Sequence, residues 1–390
     1  MIRFRNPGTQ YATHIQIIKQ LYQQVGKQSY FTLQDMAIAI AQAKLMTAYG
    51  YSGDEAIKLS KTEQESKNST LMNVKMYAEL FRMFGWITPY NENASYPLVF
   101  TYIGIHIALT SSDCSRLYEQ SVLGINNPTQ FNDNMRYSER TRFFKCALRT
   151  LIDLDGIMYK HELCLGPMGV DDEDEEAYQH MIQHIRSLRG DRQRLRDAFS
   201  DLAAGLNMNT TSVDNSTRTP VGLMKNCGWI ESVDDRSLYG CSMTCIRITL
   251  HGREIYESLK DMYDLRLDQY ESFDKSTQEA LIRLGTYSIL ERSGYDISSV
   301  QKIIQMDRNI CVDILKGRDL LFSPCATLRR RCVESALGIQ LGEGIDRQYD
   351  INTFDSSVNK RESLNIMQVW NLNIFENAVT DLLTEPEDID

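Results

Sequence analysis

Residues 74–107 read VKMYAELFRMFGWITPYNENASYPLVFTYIGIHI, and this stretch decides the fold because the chain contains a second version of it. Its first eleven residues carry apolar side chains at helical spacing. Gly85 follows, at a position where glycine adopts the left-handed conformation that ends a helix. Trp86 begins a short strand, a polar segment forms a hairpin loop, and Thr101 caps a last helix that contains Gly104. The stretch therefore predicts a helix, a strand, a wing, a strand and a helix.

The second version occupies residues 221–255, which read VGLMKNCGWIESVDDRSLYGCSMTCIRITLHGREI. When the two closing glycines, Gly104 and Gly252, are aligned, Thr249 matches Thr101, and a Gly-Trp-Ile triplet precedes both polar segments. A repeated supersecondary unit is a strong organising signal. We predict a mainly α protein with small β-wings, built from tandem winged helix-turn-helix units plus a helical C-terminal region. The alternative is two unrelated αββ hairpins in a mixed fold.

The chain has 390 residues, which is too long for one ordinary core, so two or three domains are expected. We predict a first winged-helix domain at residues 1–130. A second winged-helix domain, with a preceding helical pair, is predicted at residues 131–272. Residues 273–390 are predicted to form a helical linker and C-terminal region.

Composition restricts the class of protein. The formal net charge of -10 argues against a nonspecific nucleic-acid coat, although the local distribution of charge decides DNA binding. No apolar run approaches the ~20 residues that span a bilayer, and residues 1–8 lack the apolar core of a signal peptide. The nine cysteines are scattered and odd in number, which is typical of reduced thiols. We expect a cytoplasmic protein without a membrane partner.

The repeat also predicts where DNA would be contacted. In a helix-turn-helix the second helix enters the major groove by its N-terminal end, and basic side chains contact phosphates. The predicted contact residues are Arg3, Arg5 and Gln10 in the N-terminal segment, Asn73 and Lys75 in the first recognition helix, Asn91 and Asn93 in its wing, Arg136, Arg140, Arg142 and Lys145 in a basic helix, Asn215, Thr217, Arg218 and Lys225 at the second recognition helix, and Arg236 and Tyr239 in its wing. The alternatives are a frayed N-terminal tail, a solvated helix face, and wings that bind protein.

One group of side chains has the spacing of a metal site. His161 and Cys164 are three residues apart, and His180 and His184 are four apart, as zinc ligands can be. A shared face of one helix explains the two later histidines more simply. The acidic run at residues 171–176 opposes the dipole of the helix that follows it. The sequence therefore leaves metal binding by this group open, and we assign no metal ligand.

Several of these pieces together resemble the DNA-recognition part of type IIS restriction endonucleases of the FokI and AlwI kind. The resemblance rests on residues 4–8, on the pair of winged units, and on the helix at residues 147–153 with its acidic and helical sequel through residue 189. It covers roughly the first 340 residues as organisation. In that family a further C-terminal domain carries a PD-(D/E)xK nuclease site, in which paired carboxylates hold Mg²⁺.

A nuclease site of this type has no clear match in the chain. The acidic-x-Lys triplet at residues 65–67 lies in a polar loop, where a nuclease strand is not expected. Asp346, Asp350 and Asp355 precede Lys360, but no acid stands two residues before that lysine. We therefore predict no catalytic residue and no cofactor in this chain, with Mg²⁺ required only if a nuclease domain or subunit is present.

The resulting hypothesis is recognition of a double-stranded DNA site, as the specificity part of a restriction or nicking endonuclease system. Cleavage would then come from a nuclease subunit or from a further domain. A winged-helix scaffold that binds proteins in a DNA-processing or defence complex is the first alternative. A divergent Mg²⁺-dependent nuclease that acts through the C-terminal acidic residues is the second.

Overall fold

The computed structural model describes residues 1–2, 4, 6–26, 28, 30–45, 53, 55, 58, 69–89, 97–109, 113–125, 142–170, 175–265, 267–295 and 297–321. They fall into two compact units. The central unit comprises the described residues of 1–10 and 126–270, and the flanking unit those of 11–125 and 271–390. These boundaries differ from the predicted domains, because the N-terminal ten residues group with the central unit and the C-terminal helices group with residues 11–125.

The flanking unit begins with helices and a small two-stranded sheet. Its elements are α1 (Tyr11–Val25), α2 (Leu33–Gln42), α3 (Ser69–Met83), β1 (Ile87–Pro89), β2 (Leu98–Phe100), α4 (Tyr102–Leu109) and α5 (Ser115–Leu123). Strands β1 and β2 are antiparallel, with Ile87 opposite Phe100. Helix α2 begins at a capping box, in which Thr32 accepts from the Asp35 backbone and Asp35 accepts from the Thr32 backbone.

The central unit combines seven helices with a three-stranded antiparallel sheet. Its elements are α6 (Phe143–Asp153), β3 (Ile157–Tyr159), α7 (Lys160–Leu165), α8 (Glu175–Leu188), α9 (Arg192–Gly205), α10 (Thr210–Asn215), α11 (Arg218–Asn226), β4 (Ile230–Asp235), β5 (Met243–Ile248) and α12 (Leu250–Leu259). The strand order is β3-β5-β4, so the early strand β3 adds to the outer side of the β4–β5 hairpin. That hairpin pairs Ile230 with Ile248.

The C-terminal helices complete the flanking unit. They follow α13 (Leu267–Ser272), whose first four residues belong to the central unit, and are α14 (Lys275–Arg292), a 3₁₀ turn (Ser298–Val300), α15 (Gln301–Ile310) and α16 (Val312–Leu315). Arg292 at the end of α14 donates from Nε to Gln120 Oε1 on α5 at 2.8 Å. Arg283 and Asp307 form a half-buried ion pair of 2.7 Å between α14 and α15. The bond between Arg292 and Gln120 joins helices more than 150 residues apart in sequence into one unit.

The described residues are mainly helical with small antiparallel sheets, which confirms the predicted class at that level. Helix α6 is amphipathic, since Phe143, Phe144, Leu148 and Leu151 are buried in the core of the central unit. In the parts of the chain that the structure describes, no helix has the length and apolar character needed to cross a membrane.

Candidate nucleic-acid interface

The first copy of the repeat is closed by hydrogen bonds around a tryptophan. Gly85 has φ +73°, which lets it end α3 in the left-handed conformation that side chains disfavour. Thr101 donates from Oγ1 to the carbonyl oxygen of Gly85 at 2.7 Å, and its backbone N–H donates to the carbonyl oxygen of Trp86 at 2.9 Å. The same Oγ1 accepts the N–H of Gly104 at 3.1 Å, and Trp86 is fully buried. One threonine thus ties the end of α3 to the start of α4.

The second copy repeats this arrangement bond for bond. Gly228 has φ +71°, and Thr249 donates from Oγ1 to its carbonyl oxygen at 2.6 Å. The backbone N–H of Thr249 donates to the carbonyl oxygen of Trp229 at 2.9 Å, and Thr249 Oγ1 accepts the N–H of Gly252 at 3.0 Å. Trp229 is fully buried, as Trp86 is. The alignment of the two stretches therefore matches a repeated local structure.

The repeat extends further toward the N-terminus than the sequence alignment reached. In the central unit, Met158 of β3 pairs with Ile246, which lies three residues before the capping threonine. In the flanking unit, Phe31 forms an antiparallel bridge with Leu98, which also lies three residues before its threonine. A helix begins directly after each of these residues, α7 in one unit and α2 in the other. Both units therefore share a third strand position.

The helix after this third strand position is capped in the same way in both units. The backbone N–H of Thr32 donates to Asp35 Oδ2 at 2.7 Å, and that of Tyr159 donates to Glu162 Oε2 at 2.9 Å. In each case the carboxylate lies three residues after the N-cap residue and accepts from the N-cap backbone N–H, which would otherwise lack a partner. Asp35 follows Thr32 by three residues, and Glu162 follows Tyr159 by three. This shared spacing was the sequence feature that could have revealed the longer repeat.

Helix α11 presents one face to the core and one to solvent. Leu223 and Met224 are 0% exposed, whereas Arg218 and Lys225 are exposed. Lys225 donates from Nζ to Ser232 Oγ on β4, so its ammonium group lies against the hairpin. The two exposed cations are the predicted contact residues that the structure leaves most accessible on this helix.

The matching helix of the flanking unit, α3, is buried over its second half, at residues 77–83. When the two helices are aligned on the glycines that end them, Arg82 takes the place of Lys225, but Arg82 is 5% exposed. Glu79, one turn earlier, is 4% exposed. The predicted contact residues Asn73 and Lys75 lie nearer the start of α3 and are half-buried. The flanking repeat therefore has the same local hydrogen bonds, but most of the helix that was predicted to read DNA is buried.

The residues just before α11 are less accessible than the prediction required. Thr217 is buried and donates from Oγ1 to the carbonyl oxygen of Asp214 at 2.8 Å, so its hydroxyl serves the turn between α10 and α11. This contradicts a direct DNA contact by Thr217. Asn215 is half-buried at the end of α10.

The wing of the central unit is packed down onto the unit itself. The backbone N–H of Gly190, between α8 and α9, donates to the carbonyl oxygen of Leu238 at 2.7 Å. Tyr239 is 5% exposed, packs with Leu188 and Leu195, and donates from its hydroxyl to Glu162 Oε1 at 2.5 Å. Burial, and after it the Glu162 carboxylate, raise the pKa of Tyr239. Tyr239 is therefore a structural residue, which contradicts its predicted contact with DNA.

Glu162 is a central residue of this packing that the sequence analysis did not assign. Its carboxylate is fully buried and receives hydrogen bonds from Arg189, at 2.9 Å from Nε and 3.1 Å from Nη2. Together with Tyr239, this buried network joins α7, the end of α8 and the wing. At the wing turn, Arg236 remains exposed and stays a candidate for contact with a partner.

The basic helix that the sequence offered as an electrostatic surface uses its cations inside the unit. Arg142 is 3% exposed and contacts Asp264 at 3.1 Å, and Lys145 contacts the same carboxylate at 2.5 Å. Burial alone would raise the pKa of Asp264, but these two cations outweigh burial and lower it. Arg149 pairs with Glu175 at 2.7 Å. The burial of Arg142 contradicts its predicted contact with phosphates, and Lys145 is occupied in the same ion pair.

The four residues with metal-like spacing have other surroundings. His161 stacks on Phe199 with ring centroids 3.7 Å apart, and its Nε2 lies 3.2 Å from Asp214 Oδ1. Burial lowers the pKa of His161, and the Asp214 carboxylate opposes that shift only in part. His180 and His184 are exposed on α8. Within the described ranges, no group of three or more histidine, cysteine or acidic side chains is placed to hold a metal ion.

Several predicted residues lie outside the part of the chain that the structure describes. They are Arg3, Arg5, Asn91, Asn93, Arg136 and Arg140, together with the nuclease candidates at residues 65–67 and Asp346, Asp350 and Asp355. Gln10 is described and exposed. No known family model matches the chain, and no curated protein matches it either. The geometry of the two repeats is therefore the basis for assigning a function.

Proposed function

We propose that the central unit is a winged helix-turn-helix module that recognises a site in duplex DNA. Its helix α6, strand β3, helix α7, helix α11 and hairpin β4–β5 follow the order of such a module, with α8, α9 and α10 inserted between α7 and α11, and the strand order β3-β5-β4 is compatible with it. The observation that carries the proposal is the exposed face of α11. Arg218 and Lys225 stand on a helix whose other face is locked into the core, as a groove-reading helix requires.

The flanking unit has a different part in this proposal. Its repeat has the same Gly-Trp-Thr hydrogen bonds, but α3 is buried over its second half, which includes Glu79 and Arg82. The second half of this helix therefore cannot enter a groove without rearrangement of its neighbours, and near its start Asn73 and Lys75 are only half exposed. We therefore assign DNA reading to the central unit and a structural role to the flanking winged unit, with Asn73 and Lys75 as its remaining accessible candidates.

In this proposal the chain is the specificity part of a restriction or nicking system. Basic side chains position the chain on phosphates, and the start of α11 reads base edges in the major groove. Cleavage belongs to a nuclease subunit or to a further domain, which would bring the Mg²⁺ that phosphodiester hydrolysis uses. The proposed setting is the cytoplasm, where such a system meets DNA.

Charge reversal on α11 tests the proposal. A duplex is first selected from a randomised library by the wild-type chain, and its affinity is then measured for the Arg218→Glu/Lys225→Glu variant. We expect specific binding to fall at least about a hundredfold at physiological salt, because two phosphate or base contacts become repulsive. Near- and far-ultraviolet circular dichroism should remain unchanged, since both side chains are exposed.

The matched control changes the same charge elsewhere. Lys275→Glu/Lys302→Glu alters two exposed lysines of the flanking unit and gives the same net charge as the α11 variant. We expect this control to change the affinity by less than about threefold, since it acts through long-range fields that salt screens. Equal losses in both variants would mean that net charge, and not α11, governs binding.

A protein-interaction scaffold is the second candidate, and the charge of the hairpin favours it. Glu231 and Asp234 are exposed on β4, Glu231 lies 3.8 Å from the cation of Arg247, and the chain as a whole carries a charge of -10. A mixed-sign surface suits a protein partner better than it suits phosphates. A wild-type chain that enriches no duplex from the library would support the scaffold over the DNA reader.

A further inference from the structure

The N-terminal segment crosses the exposed face of α11. Thr9 lies so close to the helix that Gly222 has no room for a side chain. A Cβ at Gly222 would overlap Thr9 Cβ and stand 2.5 Å from Thr9 Oγ1 and 2.8 Å from Cγ2. Asn226 donates a hydrogen bond from Nδ2 to the backbone carbonyl oxygen of Thr9. Residues four apart share one face of a helix, so Gly222 and Asn226 together hold Thr9 across α11.

The other end of this segment is anchored in the core. Ile2 is buried, and its N–H donates to the carbonyl oxygen of Met168 at 2.6 Å. Phe4 is also buried, with its ring centroid 5.2 Å from that of Phe143 and 5.8 Å from that of Phe144. The described residues of this segment are therefore a built part of the central unit, and the alternative of a frayed tail does not fit them.

We infer that residues 6–10 form a clasp that limits entry into the major groove to the first turn of α11, leaves Lys225 in the last turn to contact phosphates at the groove edge, and adds the clasp itself to the surface that meets the duplex. This inference rests on the proposed function of the central unit. The major groove is about 12 Å wide and a helix with its side chains is about 10–12 Å across. Helix α11 and a chain segment on its outer face therefore cannot lie in the groove side by side.

The exposed residues around the clasp determine which end of α11 can contact the duplex. Arg218 is exposed one turn before Gly222, so the helix meets the groove with this end. The clasp then faces the phosphates at the edge of the groove. Its sequence, Asn6-Pro7-Gly8-Thr9-Gln10, contains no carboxylate, and Gly8 and Gln10 are exposed. Backbone N–H groups and the side chains of Asn and Gln are common phosphate contacts, whereas the Thr9 side chain faces Gly222. The clasp thus suits the sugar–phosphate backbone of duplex DNA.

Gly222 is the positioning residue of this surface, and its replacement tests the inference. Gly222→Ala places a methyl group where Thr9 stands and should displace the clasp. Gly205→Ala is the matched control, because it also replaces a helical glycine but its Cβ would meet nothing within 4 Å. Thr9→Gly in the Gly222→Ala background removes the obstructing side-chain atoms and should let the clasp close again. The readouts are hydrogen exchange at the amides of residues 8–10 and affinity for the duplex selected by the wild-type chain.

We expect Gly222→Ala to speed exchange of the clasp amides and to weaken duplex binding by about tenfold or more, which equals roughly 1.4 kcal/mol. The Thr9→Gly/Gly222→Ala pair should recover both values to within about threefold, and Gly205→Ala should change neither. Displacement of the clasp with unchanged affinity would overturn the inference. Displacement with tighter binding would also overturn it, since the segment would then cover the helix as an inhibitor. Failure of the proposed function looks different, because the wild-type chain itself then selects no duplex.

Discussion

At the scale of single residues, the closest approach in each repeat joins a glycine to a tryptophan carbonyl. A Cβ at Gly252 would overlap the carbonyl oxygen of Trp229 and stand 3.0 Å from its carbonyl carbon, and a Cβ at Gly104 would overlap the carbonyl oxygen of Trp86. Both obstacles are backbone atoms, which cannot rotate away as a side chain can. The last helix of each repeat can therefore sit this close to the preceding strand only because a glycine faces it.

This close approach predicts the effect of a single methyl group. Gly252→Ala should lower the free energy of unfolding of the central unit by about 1–3 kcal/mol, because the helix α12 must shift away from Trp229. Gly205→Ala adds the same methyl group in open space and should leave stability unchanged or slightly higher. Hydrogen exchange of the β5 amides measures the unfolding of this unit. Equal stability of the two variants would contradict the repeated packing.

His161 predicts a pH dependence at the same scale. Burial lowers its pKa in the folded protein below the ordinary value of 6.5. At a pH well above 6.5 the residue is neutral in both states and adds no pH dependence. As the pH falls below 6.5, the unfolded chain takes up a proton that folded His161 resists, so the free energy of unfolding decreases. Once the pH is below the folded pKa as well, this loss is complete.

The measurement compares variants of two histidines at pH 7.5 and 5.5. The stability of the central unit, again from exchange of the β5 amides, should fall between these values in the wild-type chain and fall less in His161→Gln. His180→Gln changes an exposed histidine and should retain the wild-type loss. The interpretation of His161 is incorrect if both variants lose stability with acid to the same extent.

At the scale of elements, the wing is a hairpin whose turn packs against other parts of the central unit. The carbonyl oxygen of Leu238 accepts a hydrogen bond from Gly190, in the turn between α8 and α9. The hydroxyl of Tyr239 donates to the buried carboxylate of Glu162. The bond spans 77 positions of the sequence, so it fastens the wing to helix α7. The exposed Arg236 is thereby held at a defined place relative to the sheet.

Removal of one hydroxyl should loosen this element. Tyr239→Phe leaves the Glu162 carboxylate with one donor fewer and should cost about 1–2 kcal/mol, with faster exchange in residues 236–242. Tyr256→Phe is the matched control, since that half-buried hydroxyl forms no hydrogen bond to the described parts of the chain. Unchanged exchange of the wing in Tyr239→Phe would show that packing alone holds it.

The same scale shows what the sequence could predict. The Gly-Trp-Thr pattern was readable because Thr101 and Gly85 are 16 positions apart, within one supersecondary unit. The burial of Arg142 was not readable, because its partner Asp264 lies 122 positions away and helical periodicity carries no information about it. One feature of the sequence pointed to the clasp, namely that Gly222 lies within a predicted helix. Glycine costs a helix about 1 kcal/mol relative to alanine and often marks a close approach of another segment.

At the scale of the whole molecule, the two repeats share a local structure but differ in which helix side chains are exposed to solvent. In the central unit Arg218 and Lys225 face solvent, whereas in the flanking unit Glu79 and Arg82 are buried. Sequence similarity between the repeats predicted two reading helices, since it reports local structure and not what later packs on it. The proposal of one reading unit follows from that difference in burial. It also explains how a chain with a net charge of -10 would bind DNA, through a local site.

The most direct test of this central claim is equilibrium binding of the wild-type chain to its selected duplex and to a scrambled duplex, repeated at several salt concentrations. We predict a preference of about a thousandfold or more for the selected duplex, with affinity that falls steeply as salt rises. In Arg218→Glu/Lys225→Glu the preference should disappear and the salt slope should become shallower. Equal affinity of the wild-type chain for both duplexes, or a preference that survives this charge reversal, would contradict DNA reading by α11.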